Sequence, residues 1–200
     1  MKFLISNINS LSKNIEDYYM YLTKERIDKI EKNIFAEDKK RSVISGLMIN
    51  AIVECREEGI VDADALTDYK TAITKEGKHG KPFFEDSDIY FNVSHSGEYV
   101  VCAYGDKEVG VDIQKNKEIK DNLIRRISHE KDDKINPLAI WVIKESYVKL
   151  LGQGLSFDMR RCYIDFEKNM VIDMSGANKN AIFELHKISE DYLLSVCTYA

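Results

Sequence analysis

The chain has 200 residues, which is enough for one domain or two small ones and for a buried core that needs no disulfide or structural metal. Hydrophobic residues make up 44% and charged residues 32%, a mixture that excludes global disorder. The formal net charge of −5 excludes a broad basic surface for nucleic acid but leaves room for a local basic pocket. No apolar run is long enough to span a membrane, and the N-terminus turns polar too early for a signal peptide, so we expect a cytoplasmic protein with no membrane partner.

The four cysteines, Cys55, Cys102, Cys162 and Cys197, form no CxxC pair. Their spacing therefore matches neither a zinc site nor a redox motif. Three of them lie inside apolar runs, which predicts buried free thiols in a reducing compartment.

The chain up to residue 113 is predicted to contain a strand, a long helix and then three short strands. The strand covers residues 2–6, and the helix covers 36–58, with apolar residues along one face and Gly59 placed to end it. From Ile89 onward, β-branched and aromatic runs alternate with turn residues. The strands expected there are 89–93, 99–104 and 109–113.

A second helix is predicted after Asn136 and Pro137, because asparagine is a good N-cap and proline is favoured at the first helical position. It runs to about Leu151, and Gly152 ends it. Four further strands are expected at residues 162–166, 170–173, 181–185 and 192–199.

Segments 98–104 and 191–199 have similar sequences, and each follows a stretch with a helix and strands. Two explanations are open: chance similarity between two buried strands, or two similar α+β halves with a site between them.

The segment 91–97 reads FNVSHSG and places Ser94 and His95 at the end of a strand. Hydroxyl and imidazole groups beside a glycine turn suit phosphate oxygens, although a polar strand end has the same sequence. A nucleophilic pair of Ser94 and His95 is disfavoured, because neighbouring strand residues point to opposite faces.

The segment 110–114 reads GVDIQ, and strand alternation puts Asp112 and Gln114 on one face and Val111 and Ile113 on the other. Two oxygen-bearing side chains on one face suit a hard cation, and an exposed strand face is the alternative.

The segment 141–149 reads WVIKESYVK and puts Glu145 and Lys149 one helical turn apart, on the face that carries Trp141. A surface ion pair worth roughly 0.3–0.5 kcal/mol is one interpretation. The neighbouring indole, which prefers burial, favours a cleft.

Two basic segments complete the candidate set. Gly80-Lys81-Pro82 puts a lysine in a turn, where it either meets a phosphate or is an ordinary basic turn. A basic group around the first helix is either a solvated face or a phosphate site: Arg26, Lys29, Lys39, Lys40, Arg41 and Ser42.

The order of these motifs resembles the 4′-phosphopantetheinyl transferases of the Sfp type. The ordered set is Gly-Lys-Pro, Phe-Asn-x-Ser-His-Ser, Gly-x-Asp-Ile and Trp-x-x-Lys-Glu-Ser-x-x-Lys, over residues 80–155. A weaker match at 37–42 extends it back to about residue 24, and the last 45 residues match only as a strand pattern. The resemblance implies an α+β fold of two similar halves, a pseudo-dimer in one chain, with the active site between them. We place the halves at residues 1–105 and 106–200.

The resemblance also implies an activity. A family member moves 4′-phosphopantetheine from coenzyme A to a serine of an apo acyl- or peptidyl-carrier protein, with magnesium, and releases 3′,5′-ADP. We expect coenzyme A and the apo carrier as partners, and a monomer. A coenzyme A-binding or carrier-docking protein without transferase activity is the alternative, whereas a hydrolase is disfavoured because no G-x-S-x-G occurs.

Residue by residue, the resemblance implies three sets of site residues. The metal ligands are Asp112, Gln114 and Glu145, where Gln114 stands in a position that is often acidic in the family. The coenzyme A contacts are Arg26, Lys29, Arg41, Ser42, Lys81, Pro82, Ser94, His95, Asp112, Lys144 and Lys149. Of these, the resemblance places Arg26, Lys29 and Ser42 where the family holds the 3′-phosphate. Lys144 and Lys149 match its basic residues near the pyrophosphate. The catalytic residues are Glu145 as the base, Lys149 at the leaving group and His95 at the phosphates.

Overall fold

The structure is a computed structural model that describes residues 1–54, 58–77, 80–116, 119–132 and 134–200, with Leu155 described by its backbone alone. Within these ranges the strands form a four-stranded sheet, a five-stranded sheet and a small two-stranded hairpin. A long helix packs on each of the two larger sheets.

The first sheet has the strand order β2-β1-β6-β5, in which β1 and β2 are parallel and the other pairs are antiparallel. The first half contains β1 (Lys2–Asn7), α1 (Lys24–Glu31), α2 (Ala36–Glu54), β2 (Gly59–Ile60), β3 (Lys75–Glu76), β4 (Pro82–Phe83), β5 (Tyr90–Ser96) and β6 (Tyr99–Gly105). Its 3-10 turns are Ile8–Ser10, Ile15–Tyr21 and Asp64–Asp68. Strands β3 and β4 form the separate hairpin.

The second sheet is antiparallel, with the order β7-β11-β10-β9-β8. The second half contains β7 (Val109–Lys115), α3 (Asp121–Ile127), α4 (Pro137–Leu151), β8 (Cys162–Asp165), β9 (Met170–Asp173), β10 (Ala181–Ser189) and β11 (Tyr192–Tyr199). Its 3-10 turns are Glu130–Asp132, Gly154–Ser156 and Met159–Arg161.

The two halves share one topology, which confirms the α+β fold of two similar halves. In each half a first strand (β1 or β7) is followed by a long helix (α2 or α4) and ends with an antiparallel hairpin (β5–β6 or β10–β11). In each sheet the last strand of the half lies between the other two. The two similar segments of the sequence form these central strands, β6 and β11. The division after residue 105 stays a prediction.

Most predicted elements are present, with shifted ends. The helix at 36–58 ends at Glu54; residues 55–57, with Cys55, lie outside the described residues, and Gly59 has a φ of +95°. Strand β5 continues to Ser96, although the sequence predicted its end at residue 93, and β7 continues two residues past its predicted end. Helix α4 ends as predicted, at a left-handed Gly152. Helices α1 and α3 and the β3–β4 hairpin were not predicted.

The structure also bears on the cysteines and on membrane spans. Cys102, Cys162 and Cys197 are buried free thiols, as predicted. No helix in the described ranges combines the length and the apolar character that crossing a membrane requires.

An apolar core lies between the two sheets. Residues of β1 and β6, such as Ile5 and Val101, pack against Val111 and Ile113 of β7 and Val196 of β11. This confirms that Val111 and Ile113 occupy the face of β7 opposite Asp112. Burial of this apolar surface holds the halves together.

A polar seam joins the same two halves where β5 runs beside β7. The backbone N–H groups of alternate β7 residues donate to side chains of β5 instead of to its carbonyl groups. The three bonds run from Val111 to Asn92 Oδ1 (3.0 Å), from Ile113 to Ser94 Oγ (3.4 Å) and from Lys115 to Ser96 Oγ (3.0 Å).

Lys144 lies in the core of the second half, so the prediction that it contacts the pyrophosphate is wrong. Its side chain is fully buried, and its ammonium pairs with the fully buried carboxylate of Asp132 at 2.6 Å. The same ammonium donates to the carbonyl groups of Ile127, Met159 and Cys162. The Lys144 ammonium therefore joins α4 to the segments before and after it. None of its N–H groups is left to bind a ligand.

We expect Lys144→Met to lower the free energy of unfolding by about 3–5 kcal/mol, because it leaves the Asp132 carboxylate buried without its counter-charge. Chemical denaturation measures the change. The matched control is Lys168→Met, since Lys168 pairs with Asp165 at the surface and should contribute little. Equal effects of the two substitutions would contradict the assignment.

Candidate active site between the two halves

A glycine inside β7 lets helix α4 approach the strand at backbone distance. A Cβ atom at Gly110 would collide with the carbonyl oxygen of Ser146 and the backbone nitrogen of Leu150. Gly110, Asp112 and Gln114 share the face that meets α4, so this approach brings Glu145 and Lys149 next to Asp112. Sequence reasoning assigned Gly110 no role, although a glycine within a strand is a signal of close approach.

Asp112 is the centre of a cluster of polar side chains and is 2% exposed. Lys149 Nζ lies 2.7 Å from Asp112 Oδ1, and Ser94 donates to the same oxygen at 2.9 Å. The amide nitrogen of Gln114 donates to Asp112 Oδ2 at 3.0 Å, which confirms that Gln114 and Asp112 share one face. Both oxygens of the Asp112 carboxylate therefore have hydrogen-bond partners.

The Ser94 hydroxyl bonds to residues of this cluster, whereas the sequence suggested a contact with phosphate. A serine hydroxyl has one donor and two acceptor positions. In Ser94 the donor goes to Asp112, and the acceptors receive Lys149 Nζ at 2.7 Å and the N–H of Ile113. The hydroxyl of Ser94 thus donates to Asp112 in this arrangement, and its contact with a phosphate stays a prediction.

Glu145 faces the cluster from one turn earlier in α4. Burial raises the pKa of its carboxyl group, the negative charge of Asp112 raises it further, and Lys149 opposes both effects. The two carboxylates therefore repel each other.

The donor set at this point fits a magnesium ion. Asp112 and Glu145 supply carboxylate oxygens and Gln114 an amide oxygen, which are ligands that hard cations prefer. A divalent cation would also relieve the repulsion that raises the pKa of Glu145. No group of three or more His, Cys, Asp or Glu side chains suited to a metal occurs in the described ranges, so the protein offers this site a pair of carboxylates.

A cleft of about 1080 Å³ opens on the first half, beside the cluster. It brings together five residues that the sequence predicted to contact coenzyme A, and they come from α1, α2, β4 and β5: Arg26, Lys29, Ser42, Pro82 and His95. His95 and Val93 form the cleft face of β5, while Ser94 points to the cluster, so one strand separates the two. Burial lowers the pKa of His95, and the charges of Arg41 and Lys149 lower it further.

Two other predicted contacts of coenzyme A bind the protein itself. The ammonium of Lys81 donates to the carbonyl groups of Val109 (3.3 Å) and Lys149 (3.1 Å), which ties the loop before β4 to the second half. Arg41 donates to the carbonyl of Gly97 and pairs with Asp38, each at 2.6 Å. A nucleotide contact by either residue stays a prediction.

A second cavity, of about 480 Å³, lies on the other side of the cluster. Gln114, which bonds to Asp112, and Trp141, one helical turn before Glu145, belong to its wall. Its remaining lining consists of three apolar residues, two cations and an amide: Ile119, Leu123, Leu138, Lys120, Arg126 and Asn122. The cluster therefore lies between a polar cleft and a more apolar cavity.

Two family models match adjoining parts of this chain. Residues 9–107 match the N-terminal model of 4′-phosphopantetheinyl transferases, and residues 108–197 match the model of the 4′-phosphopantetheinyl transferase superfamily. The chain belongs to the 4′-phosphopantetheinyl transferase superfamily. The two matches meet between β6 and β7, where the first sheet ends and the second begins.

Named relatives agree with the phosphopantetheinyl transferase assignment. The chain is 24% identical to the 4′-phosphopantetheinyl transferase Sfp of Bacillus subtilis (strain 168), over 91% of this chain and 84% of that protein. It is 27% identical to the 4′-phosphopantetheinyl transferase gsp of Aneurinibacillus migulanus, over 95% and 78%. It is 26% identical to the L-aminoadipate-semialdehyde dehydrogenase-phosphopantetheinyl transferase of Mus musculus, over 86% and 65%. The family supports transfer of phosphopantetheine to carrier proteins as the activity of this enzyme.

We expect Gly110→Ala to destabilise this transferase by about 1–3 kcal/mol, because the added methyl group forces α4 away from β7. Thermal or chemical unfolding measures the change. Gly105→Ala at the end of β6 is the control, since a Cβ there meets only ordinary contacts. A Gly110→Ala protein as stable as the control would show that α4 does not depend on this approach.

Proposed function

We propose that the protein transfers 4′-phosphopantetheine from coenzyme A to a serine of an apo acyl- or peptidyl-carrier protein, with magnesium, to give the holo-carrier and 3′,5′-ADP. One observation carries the proposal. The carboxylates of Asp112 and Glu145 and the ammonium of Lys149 converge at the seam of the two halves, separated by strand β5 from a cleft lined by Arg26 and Lys29.

The charges of the cleft support coenzyme A as the donor substrate. Coenzyme A carries a pyrophosphate and a 3′-phosphate, and a protein with a net charge of −5 needs local cations to bind them. Arg26 and Lys29 provide two cations, Ser42 a hydroxyl donor and His95 an imidazole, all on the wall of one cleft. Arg26 is half-buried, and burial lowers its pKa, so an anion near it gains from a partly desolvated charge.

Asp112 and Glu145 would hold the magnesium ion, with Gln114 as a neutral third ligand. When bound, the ion neutralises charge on the pyrophosphate and lowers the barrier to phosphoryl transfer. Ser94 and Lys149 fix the orientation of the Asp112 carboxylate through their bonds to Oδ1.

Glu145 and Lys149 have the chemistry to assist the attacking group and the leaving group of the transfer. The carrier serine Oγ forms a bond to the β-phosphorus while the bond from that phosphorus to the oxygen of 3′,5′-ADP breaks. Glu145 accepts the serine proton, directly or through water. The ammonium of Lys149 balances the charge that develops on the departing 3′,5′-ADP.

We further propose that the carrier serine arrives from the side of the second cavity. The polar cleft is assigned to coenzyme A, and the second cavity borders Gln114 on the opposite side of the cluster. Its apolar wall with Lys120 and Arg126 suits a protein partner better than a nucleotide. A monomeric enzyme of the cytoplasm with no nucleic-acid partner stays a prediction.

Glu145→Gln should lower the rate of transfer by about 100-fold or more, because it removes a base and a magnesium ligand together. The assay incubates the protein with coenzyme A, magnesium and a panel of apo acyl- and peptidyl-carriers, and reads the mass gain of the intact carrier. Glu190→Gln is the control, since Glu190 is an exposed residue of the β10–β11 turn that pairs with Lys187 and belongs to neither the cluster nor the cleft wall.

Three results would contradict the proposal or parts of it. A wild-type protein that binds coenzyme A and modifies no carrier would favour the binding protein without transferase activity. Transfer that persists after complete chelation of magnesium would remove the metal. Near-normal turnover of a folded Glu145→Gln variant would remove both roles of Glu145.

Gln114→Glu should lower the magnesium concentration needed for half-maximal rate, because a carboxylate binds a hard cation better than an amide does. Turnover should fall as well, since the added negative charge lies near the pyrophosphate. A magnesium titration of the transfer rate measures both effects. An unchanged titration in a folded variant would leave Asp112 and Glu145 as the protein ligands.

A further inference from the structure

The cleft contains a carboxylate that faces its own phosphate-binding cations. Glu76 lies in β3 and lines the cleft opposite α1. Its carboxylate forms an ion pair with Lys29, 47 residues earlier in the chain, and its charge acts on Arg26. The hairpin that carries Glu76 is closed by the bond from the N–H of Gly77 to the carbonyl of Lys81 at 2.8 Å.

This ion pair differs from that of Asp38, another acidic residue of the cleft. Asp38 also lines the cleft, but it pairs with Arg41 at 2.6 Å, which is a bond within α2. Glu76, in contrast, reaches across the cleft from another element to the cations of α1. Lys29 lowers the pKa of Glu76, and Arg26 contributes to the same effect, so the carboxylate is ionised at neutral pH.

We propose that Glu76 is a specificity-determining residue: a built-in counter-anion that competes with the 3′-phosphate of coenzyme A for Lys29 and Arg26. It thereby reduces the preference of the enzyme for coenzyme A over 3′-dephospho-coenzyme A. The proposal rests on the assignment of this cleft to coenzyme A.

Two effects predict that Glu76 weakens the binding of the 3′-phosphate. The 3′-phosphate has to displace Glu76 from Lys29, and after displacement the two negative groups remain in one cleft and repel each other. Both partners of the pair are about half exposed, at 54% and 56%, so the exchange needs no large desolvation. An exposed pair of this kind corresponds to about a two- to fivefold change in a binding constant.

An opposite effect would follow if Glu76 only held Lys29 in place for the ligand. Loss of the carboxylate would then make the ammonium mobile and weaken coenzyme A binding. The sign of the change in affinity therefore separates a competing anion from a positioning one.

The test measures the affinity of coenzyme A and of 3′-dephospho-coenzyme A by calorimetry at low salt, for the wild type, Glu76→Gln and a control. The control is Glu85→Gln, because Glu85 follows the same hairpin and pairs with Lys75 outside the cleft wall. Glu76→Gln should tighten coenzyme A by about two- to fivefold, leave 3′-dephospho-coenzyme A unchanged, and lose its effect as salt rises. Glu85→Gln should change neither affinity.

A double-mutant cycle identifies the partner of Glu76. In the Lys29→Gln background the gain from Glu76→Gln should shrink, because one of the contested cations is absent. Equal or weaker binding of coenzyme A by Glu76→Gln would overturn the proposal, and so would equal tightening of both nucleotides. A wild-type protein that binds neither nucleotide would overturn the assignment of the cleft itself, which is a separate and recognisable outcome.

Discussion

The site depends on how β7 satisfies its backbone at the edge that meets β5. A buried N–H group without a partner costs free energy, so these groups need acceptors. Asn92, Ser94 and Ser96, at every second position of β5, provide them from their side chains. Because the central hydroxyl of this row also bonds to Asp112 and Lys149, the joint between the halves and the orientation of the carboxylate are one hydrogen-bond network.

The two halves have the same topology and contribute different chemistry. The first half supplies the cations of the cleft, Arg26 and Lys29, from α1. The second half supplies the carboxylates and the ammonium, from β7 and α4. Gly110 brings the residues of the second half close together, because it allows α4 to touch the strand that carries Asp112. A repeated architecture thus yields a site with unlike walls, which suits a reaction that joins two unlike substrates.

Local patterns predicted the features that depend on periodicity and capping. Strand alternation gave the shared face of Asp112 and Gln114, and the cap residues gave the limits of α4. Contacts with distant partners were not readable in this way. Lys144 is a basic residue inside a motif of candidate ligand-binding residues, which suggested a contact with coenzyme A. Its partner Asp132 lies outside that motif, and both side chains are fully buried. The polarity of Ser94 and Ser96 suggested the end of a strand, whereas the neighbouring β7 uses these hydroxyls and the strand continues. Glu76 and Lys29 carry no local signal of their pairing, since 47 residues separate them.

Lys149 takes part in the network through both its backbone and its side chain. Its carbonyl oxygen accepts a hydrogen bond from Lys81, whose neighbour Pro82 lines the cleft, and its ammonium bonds to Asp112 and Ser94. The loop that borders the cleft and the carboxylate of Asp112 therefore share one hydrogen-bond partner, a residue in the last turn of α4. A displacement of residues 80–82 would act on the bond that ends at this residue, and so on the joint between the two halves.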